Sequence, residues 1–127
     1  MNALNQDTHT QQTLTAVIQF NDDVNNHNIE AVSSLLTEDT VFENTRPSPA
    51  GTRYEGKEAV TEFWKQFFLS SPHAQFSTEE LFASGDRCTV RWVYRWLKDG
   101  KEGFVRGVDV FRVRDGKIAE KLSYVKG

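Results

Sequence analysis

The chain has 127 residues, which suits one domain, because a single core stops growing only at roughly 250–300 residues. It is 38% hydrophobic and 26% charged with fifteen aromatic side chains, a composition that folds rather than staying disordered. A net charge of −3 argues against a nucleic-acid partner, and no apolar run approaches the ~18 residues of a membrane span. The polar start, MNALNQDTHTQQ, lacks the basic-then-apolar layout of a secretion signal. The expectation is one soluble, cytoplasmic domain over 1–127, with 1–11 a flexible tail and no membrane partner.

After that tail, Leu14, Val17, Ile18 and Val24, with Phe20 beside them, recur at helical spacing and predict a helix over 8–26. Asn25-Asn26-His27-Asn28 breaks it, and Asn28 is a good N-cap for a short second helix burying Ile29, Val32, Leu35 and Leu36. Asp39–Asn44 reads as a short strand, and TRPSPAGT after it as a loop. From Lys57 the residues Val60, Phe63, Trp64, Phe67 and Phe68 mark a third helix, ended by Ser70-Ser71-Pro72. The period then changes to two over Phe76–Phe82, Arg87–Leu97, Phe104–Val113 and Lys117–Val125. Ser84-Gly85-Asp86, the stretch 98–103 and Asp115-Gly116 separate these runs, and Asp-Gly is a strong hairpin signal. Three helices followed by an antiparallel meander form an α+β layout.

Hairpin parity predicts which side chains share a face. With Asp115-Gly116 as a two-residue loop, Phe111 opposes Glu120, Asp109 opposes Leu122, and Gly107 opposes Tyr124. A loop centred on Gly100 and Lys101 sets Trp92 against Asp109 and Val90 against Phe111. This register gathers Val90, Trp92, Tyr94, Trp96, Val105, Phe111, Val113, Ile118, Leu122 and Tyr124 on one side. Arg91, Arg95, Arg106, Arg112, Arg114 and Lys121, with Val93, Val108 and Val110, take the other. A one-residue slip inverts every face beyond it.

Asp109 is the anomaly, a carboxylate aimed at the aromatic face, where burial costs several kcal/mol unless the group is paired, protonated or wet. Two readings stand. Asp109 is a core acid satisfied by Tyr94, Tyr124 or the Trp92 indole, or it lines a pocket as a proton-transfer group, since burial tunes carboxyls towards neutral pH. Glu120 shares its face nearer the sheet end. Tyr94 and Tyr124 are candidate hydrogen-bond donors; Trp92, Trp64 and Phe20 are candidate walls. The scattered His9, His27 and His73 have no ligand spacing, so no metal is expected. Cys88, the only cysteine, reads as a packed strand thiol. No phosphate-binding or nucleophile-elbow motif occurs. Residues 1–64 carry net −7 and 65–127 net +4; alternation along strands explains the basic half better than an anionic partner does.

Taken together, "LLTEDTVFEN", "YEGKEAVTEFW", "SGDRCTVRW" and "RGVDVFRVRDGKIAEKLSYV" resemble the SnoaL-like branch of the nuclear transport factor 2-like superfamily, over about residues 12–126. That group includes ketosteroid isomerases, limonene epoxide hydrolases and polyketide cyclases. The resemblance implies a cone-shaped α+β barrel, three N-terminal helices packed in a curved antiparallel sheet around an apolar pocket, usually as a homodimer. It places Asn44 where ketosteroid isomerases carry their general base, Phe20 at their oxyanion-binding tyrosine, and Asp109 at their hydrogen-bond-donating aspartic acid. In SnoaL-type cyclases an aspartate on Asp109's strand is the acid/base, whereas the epoxide hydrolase Asp-Arg-Asp arrangement is not evident.

Two functions are expected from this. In one, a small hydrophobic carbonyl compound enters past the 45–52 loop, Asp109 moves a proton, and Tyr94, Tyr124 and Asn44 orient the oxygen. That is isomerase or aldol-cyclase chemistry without a cofactor. In the other, the same fold is a non-catalytic ligand-binding or dimerisation module. Both include a homodimer through the outer sheet face, where Arg91, Val93, Arg95, Leu97, Phe104, Arg106, Val108, Val110 and Arg112 lie in adjacent rows.

Overall fold

The computed structural model describes residues 2–127, with side chains from Thr8 onward. In chain order the elements are α1 (Asn2–Asn25), α2 (Ile29–Ser34), β1 (Leu36–Glu43), β2 (Arg53–Glu55) and α3 (Lys57–Ser70). The strands β3 (Gln75–Ser84), β4 (Arg87–Lys98), β5 (Lys101–Arg114) and β6 (Lys117–Val125) follow. Of the expected tail over 1–11, residue 1 and the side chains of 2–7 lie outside the described residues; residues 8–11 are helical.

α1 buries Thr13, Ala16, Val17, Phe20 and Val24, a stripe at intervals of three and four that faces the sheet. It stops at His27, whose φ of 54° leaves the helical region. The Asn28 side chain then accepts from the Ala31 amide at 3.2 Å and caps α2. Val60, Trp64 and Phe68 form the buried stripe of α3. α1 packs on β3, β4 and β5, and α3 on β1 and β2.

The expected cone-shaped barrel is corrected on three points. The six strands form an open sheet in the order β2-β1-β6-β5-β4-β3, whose edge strands β2 and β3 do not pair with each other. The sheet is mixed rather than antiparallel, because β1 runs parallel to β6. Only α1 and α2 precede the sheet, while α3 falls between β2 and β3. Leu36, expected at the end of the second helix, instead opens β1 opposite Ile118, a non-local pairing that helical spacing cannot reveal.

The β4–β5 and β5–β6 hairpins turn on Asp-Gly. Asp99 and Gly100 have φ of 52° and 76°, and Asp115 and Gly116 of 52° and 73°, the left-handed pair that suits a two-residue turn between twisted strands. The first turn lies one residue earlier than expected, so Trp92 opposes Gly107 and Val90 opposes Asp109. That shifts the pairing by two and leaves every face unchanged.

The second hairpin starts as expected, with Arg114 opposite Lys117 and Val113 opposite Ile118, and then breaks register. Arg112 faces Glu120, Phe111 faces Lys121, Asp109 faces Ser123 and Val108 faces Tyr124. One extra residue at Ala119 makes a bulge. Bonds to the neighbouring elements flank it. The Ile118 amide donates to Leu35 at 2.7 Å, its carbonyl accepts from the Thr40 hydroxyl at 2.9 Å, and the Val113 amide donates to Asp86 at 2.8 Å. Beyond the bulge all parities invert, so Lys121 turns inward, while Glu120, Leu122 and Tyr124 turn outward. Glu120 meets Arg87 at 2.8 Å, and Tyr124 is 56% exposed.

Cys88 is buried on the inner face, and burial pushes its thiol from 9.0 up to about 11. The stability linked to its protonated form is complete below pH 9.0 and is lost as pH rises through about 11. Native protein at pH 8 should therefore react with a thiol reagent only as fast as it opens; prompt stoichiometric labelling would contradict this burial.

Candidate functional site

Phe20, Asn21 and Val24 of α1, Trp64 of α3, Phe76 and Thr78 of β3, Val90 and Trp92 of β4, Asp109 of β5 and Lys121 of β6 line one cavity. Its free volume is about 20 Å³, room for about one water molecule. The lining reaches the surface at half-buried Asn21 and exposed Thr78. The mouth is therefore between α1 and β3 and not at the 45–52 loop, where it was expected.

At the base of the cavity stands a buried ion pair. Lys121 Nζ lies 3.2 Å from Asp109 Oδ2, and the two residues are only 8% and 6% exposed. The ammonium also donates to the Ser123 hydroxyl at 2.8 Å. It sits 4.3 Å from the centroid of the Phe42 ring and 5.4 Å from that of Trp64, two rings stacked at 5.5 Å. Such faces attract cations electrostatically. Burial lowers the pKa of the Lys121 amine below its ordinary value, and the Asp109 carboxylate opposes that shift.

The pair does not use all of its polar capacity. Asp109 Oδ1, Trp64 Nε1 and Trp92 Nε1 are buried without a hydrogen-bond partner. The three residues that carry these atoms all line the cavity, beside the Lys121 cation. Unsatisfied buried polar atoms are costly, so three of them around one cavity mark the place where a polar guest gains most.

Of the site residues expected from sequence, Asp109, Trp92, Trp64 and Phe20 are brought together here. Phe20 packs edge-on to Trp64 at 5.9 Å and to Phe111 at 6.0 Å. Tyr94 lies further along β4, its ring stacked on Phe76 at 4.7 Å. Burial raises its phenol pKa, opposed by a hydrogen bond with Ser71. Asn44 clasps the following loop, its Oδ1 accepting from the amides of Thr52 at 2.9 Å and Arg46 at 3.2 Å. Tyr124 is corrected from the inner to the outer face by the bulge. Lys121, assigned by parity to the outer face, is the site residue that sequence reasoning missed. Among the described residues no cluster could hold a metal ion.

Gly107 has a close-packing role. A Cβ placed there would lie 2.3 Å from Trp92 Cζ2 and 2.4 Å from the Tyr124 carbonyl oxygen, so the space above it is filled by the indole of the opposing residue. Gly107→Ala should cost about 1–3 kcal/mol as an overpacked position and should shift the emission of the displaced Trp92. A thermal melt and an emission spectrum unchanged from wild type would contradict this placement.

Comparison with known proteins follows the same architecture. Residues 17–121 match the SnoaL-like domain model. An NTF2-like protein of unknown function from Mesorhizobium loti is 41% identical, each chain covering 94% of the other, with a TM-score of 0.81. An LEH-like epoxide hydrolase of M. tuberculosis shares the fold at 19% identity and a TM-score of 0.77, over 92% of this chain and 84% of that one. A protein with a ketosteroid isomerase-like fold from Catenulispora acidiphila, in complex with trimethylamine, does so at 17% and 0.75, over 86% and 83%. Comparison with curated proteins finds no match. No helix among the described residues is long and apolar enough to cross a membrane. The match over residues 17–121 and the likeness to the 41% identical relative settle the family: the chain belongs to the SnoaL-like domain family.

Proposed function

We propose that this protein takes a small hydrophobic carbonyl compound into the α1–β3 cavity and moves a proton on it, as an isomerase or aldol-cyclase does. The observation that carries this reading is that three residues lining one cavity, Asp109, Trp64 and Trp92, each hold a buried polar atom without a partner, Oδ1 of the acid and the two indole N–H groups. Removing a proton from a carbon next to a carbonyl needs a base at that carbon and donors at the oxygen. Asp109 Oδ1 supplies the base. Trp64 and Trp92 supply neutral donors, and the Lys121 ammonium stabilises the enolate charge. Phe20, Val24, Phe76 and Val90 supply the apolar walls. A guest larger than water requires the mouth at Asn21, Phe76 and Thr78 to widen.

The test is hydrogen–deuterium exchange at the acidic carbon of a panel of hydrophobic ketones and lactones, followed by NMR in heavy water, with Trp emission reporting binding. Wild type should accelerate exchange for at least one compound, and Asp109→Asn should lose about 10²–10⁴-fold of that acceleration. A panel that neither exchanges nor perturbs the indoles would reject the reading.

The second reading, a non-catalytic dimerisation module, is favoured by the outer sheet face. The bulge adds Leu122 and exposed Tyr124 to a surface already holding Leu97, Phe104, Val108 and Val110. Phe104 is 59% exposed there, with the Arg106 guanidinium over its ring at 5.6 Å. Apolar residues interleaved with arginines suit a two-fold interface. Val108→Glu should split the dimer by placing an unpaired charge inside the patch. Wild-type light scattering that gives a 14.5 kDa particle at micromolar concentration would remove the dimer.

A further inference from the structure

We propose that Lys121 is an amine nucleophile that captures an aldehyde or ketone carbonyl as an imine, with Asp109 carrying the protons. The inference rests on the reading that this cavity takes carbonyl compounds. It goes further in assigning a covalent step to a residue otherwise needed only as a counter-charge.

Geometry carries the assignment. Without the bulge at Ala119, Lys121 would face outward with the arginines; the bulge re-aims it into the cavity, a use of bulges common beside active sites. The pair is an expensive way to fill a core, because apolar residues of similar volume often replace buried ion pairs without loss of stability. Asp109 commits only Oδ2 to the amine at 3.2 Å, leaving Oδ1 without a partner. A carboxylate with one oxygen on the amine and one on the guest can carry a proton between them. Desolvation of the amine favours its neutral, nucleophilic form in the way burial activates lysines generally, against the pull of the Asp109 carboxylate and of the Phe42 and Trp64 ring faces on the ammonium.

The step balances without oxidant or reductant. Lys121 passes one proton to Asp109, leaving a neutral amine and a carboxylic acid. The Nζ lone pair attacks the carbonyl carbon, forming the C–N bond, and a proton moves from nitrogen to oxygen to give a carbinolamine. Asp109 protonates the hydroxyl, which leaves as water, and the protonated imine remains paired with the Asp109 carboxylate. The carbonyl oxygen is the oxygen of the water released.

The experiment is borohydride trapping on the full chain with propanal as probe. Protein is incubated with sub-saturating propanal at neutral pH, reduced with sodium borohydride, digested, and weighed peptide by peptide. The chain has six other lysines, at 57, 65, 98, 101, 117 and 126, which serve as internal controls in the same sample. The expected result is an N-propyl group on the Lys121 peptide ahead of each of the other six, with that preference lost in protein unfolded by urea. Lys121 left unmodified while the other lysines react would overturn the proposal. If ketones in the Trp and exchange assays still bind and exchange in that case, the proton-transfer reading stands and only the imine falls. Should they do neither, both fall.

Discussion

Lys121→Met should lower the unfolding free energy by about 3–5 kcal/mol, the loss expected when one partner of a buried ion pair is removed. Asp109 is the reason. With Lys121 gone, its carboxylate stays buried among Phe20, Trp64, Trp92 and Val90 with Oδ1 already unpaired and Oδ2 newly so. Adding Asp109→Asn to Lys121→Met should recover most of the loss, because the charge that made the single variant costly is gone. Urea unfolding of wild type, both single variants and the double variant closes the cycle. A single-variant cost below about 1 kcal/mol, typical of exposed pairs, would mean that water reaches Asp109 freely. The pH dependence has a definite sign. The native amine titrates below its ordinary 10.5, so in the window between its lowered native value and 10.5 the unfolded chain holds more protons than the native one. Wild type should therefore gain stability relative to Lys121→Met as pH rises through that window, and the gain should be complete above 10.5.

Most of what places this site is local, and local patterns are legible. The stripe of α1 that carries Phe20 and the stripe of α3 that carries Trp64 follow helical spacing, and the alternation of β4 and β5 sets Trp92 and Asp109 on one face. The two-residue error at the Asp99-Gly100 turn was harmless because parity survives an even shift. The single extra residue at Ala119 was not, since an odd shift reversed Glu120, Lys121, Leu122 and Tyr124 together. Nothing in Ile118-Ala119-Glu120 announces a bulge. It is a break in the β5–β6 pairing itself, flanked by bonds to Leu35, Thr40 and Asp86. The same segment makes β1 parallel to β6 and keeps the sheet mixed. One mismatch could have pointed to the error. The expected register buried Asp109 without a cation, while leaving Lys121 on a face already crowded with arginines. Charge pairing across β5 and β6 favours the bulged register that hydrophobic parity alone rejects.

Phe20→Ala is expected to cost about 3–5 kcal/mol and, unlike the loss of Lys121, to open the cavity rather than strand a charge in it. Phe20 is fully buried on α1, edge-on to Trp64 and Phe111, and lines the cavity directly. Its ring stands between the helix and the polar groups at the sheet, so deleting it extends a volume of about 20 Å³ towards the size that holds a small cyclic guest. Buried apolar cavities on the order of 150 Å³ bind such molecules. The enlarged space would still be lined by Asp109, Trp64 and Trp92, each with an unpaired polar atom, so a cyclic ketone should fit it better than the hydrocarbon of the same shape. Thermal melts with cyclohexanone and cyclohexane read both effects at once. The variant should melt lower than wild type without additive. It should then recover by about 2.7 kcal/mol at a ketone concentration a hundredfold above the dissociation constant, with less recovery for the hydrocarbon. Equal recovery with both compounds would mean that the orphaned polar atoms do not reach the guest. A variant that melts lower but recovers with neither has collapsed onto the gap, and its loss should then fall at the low end of the range.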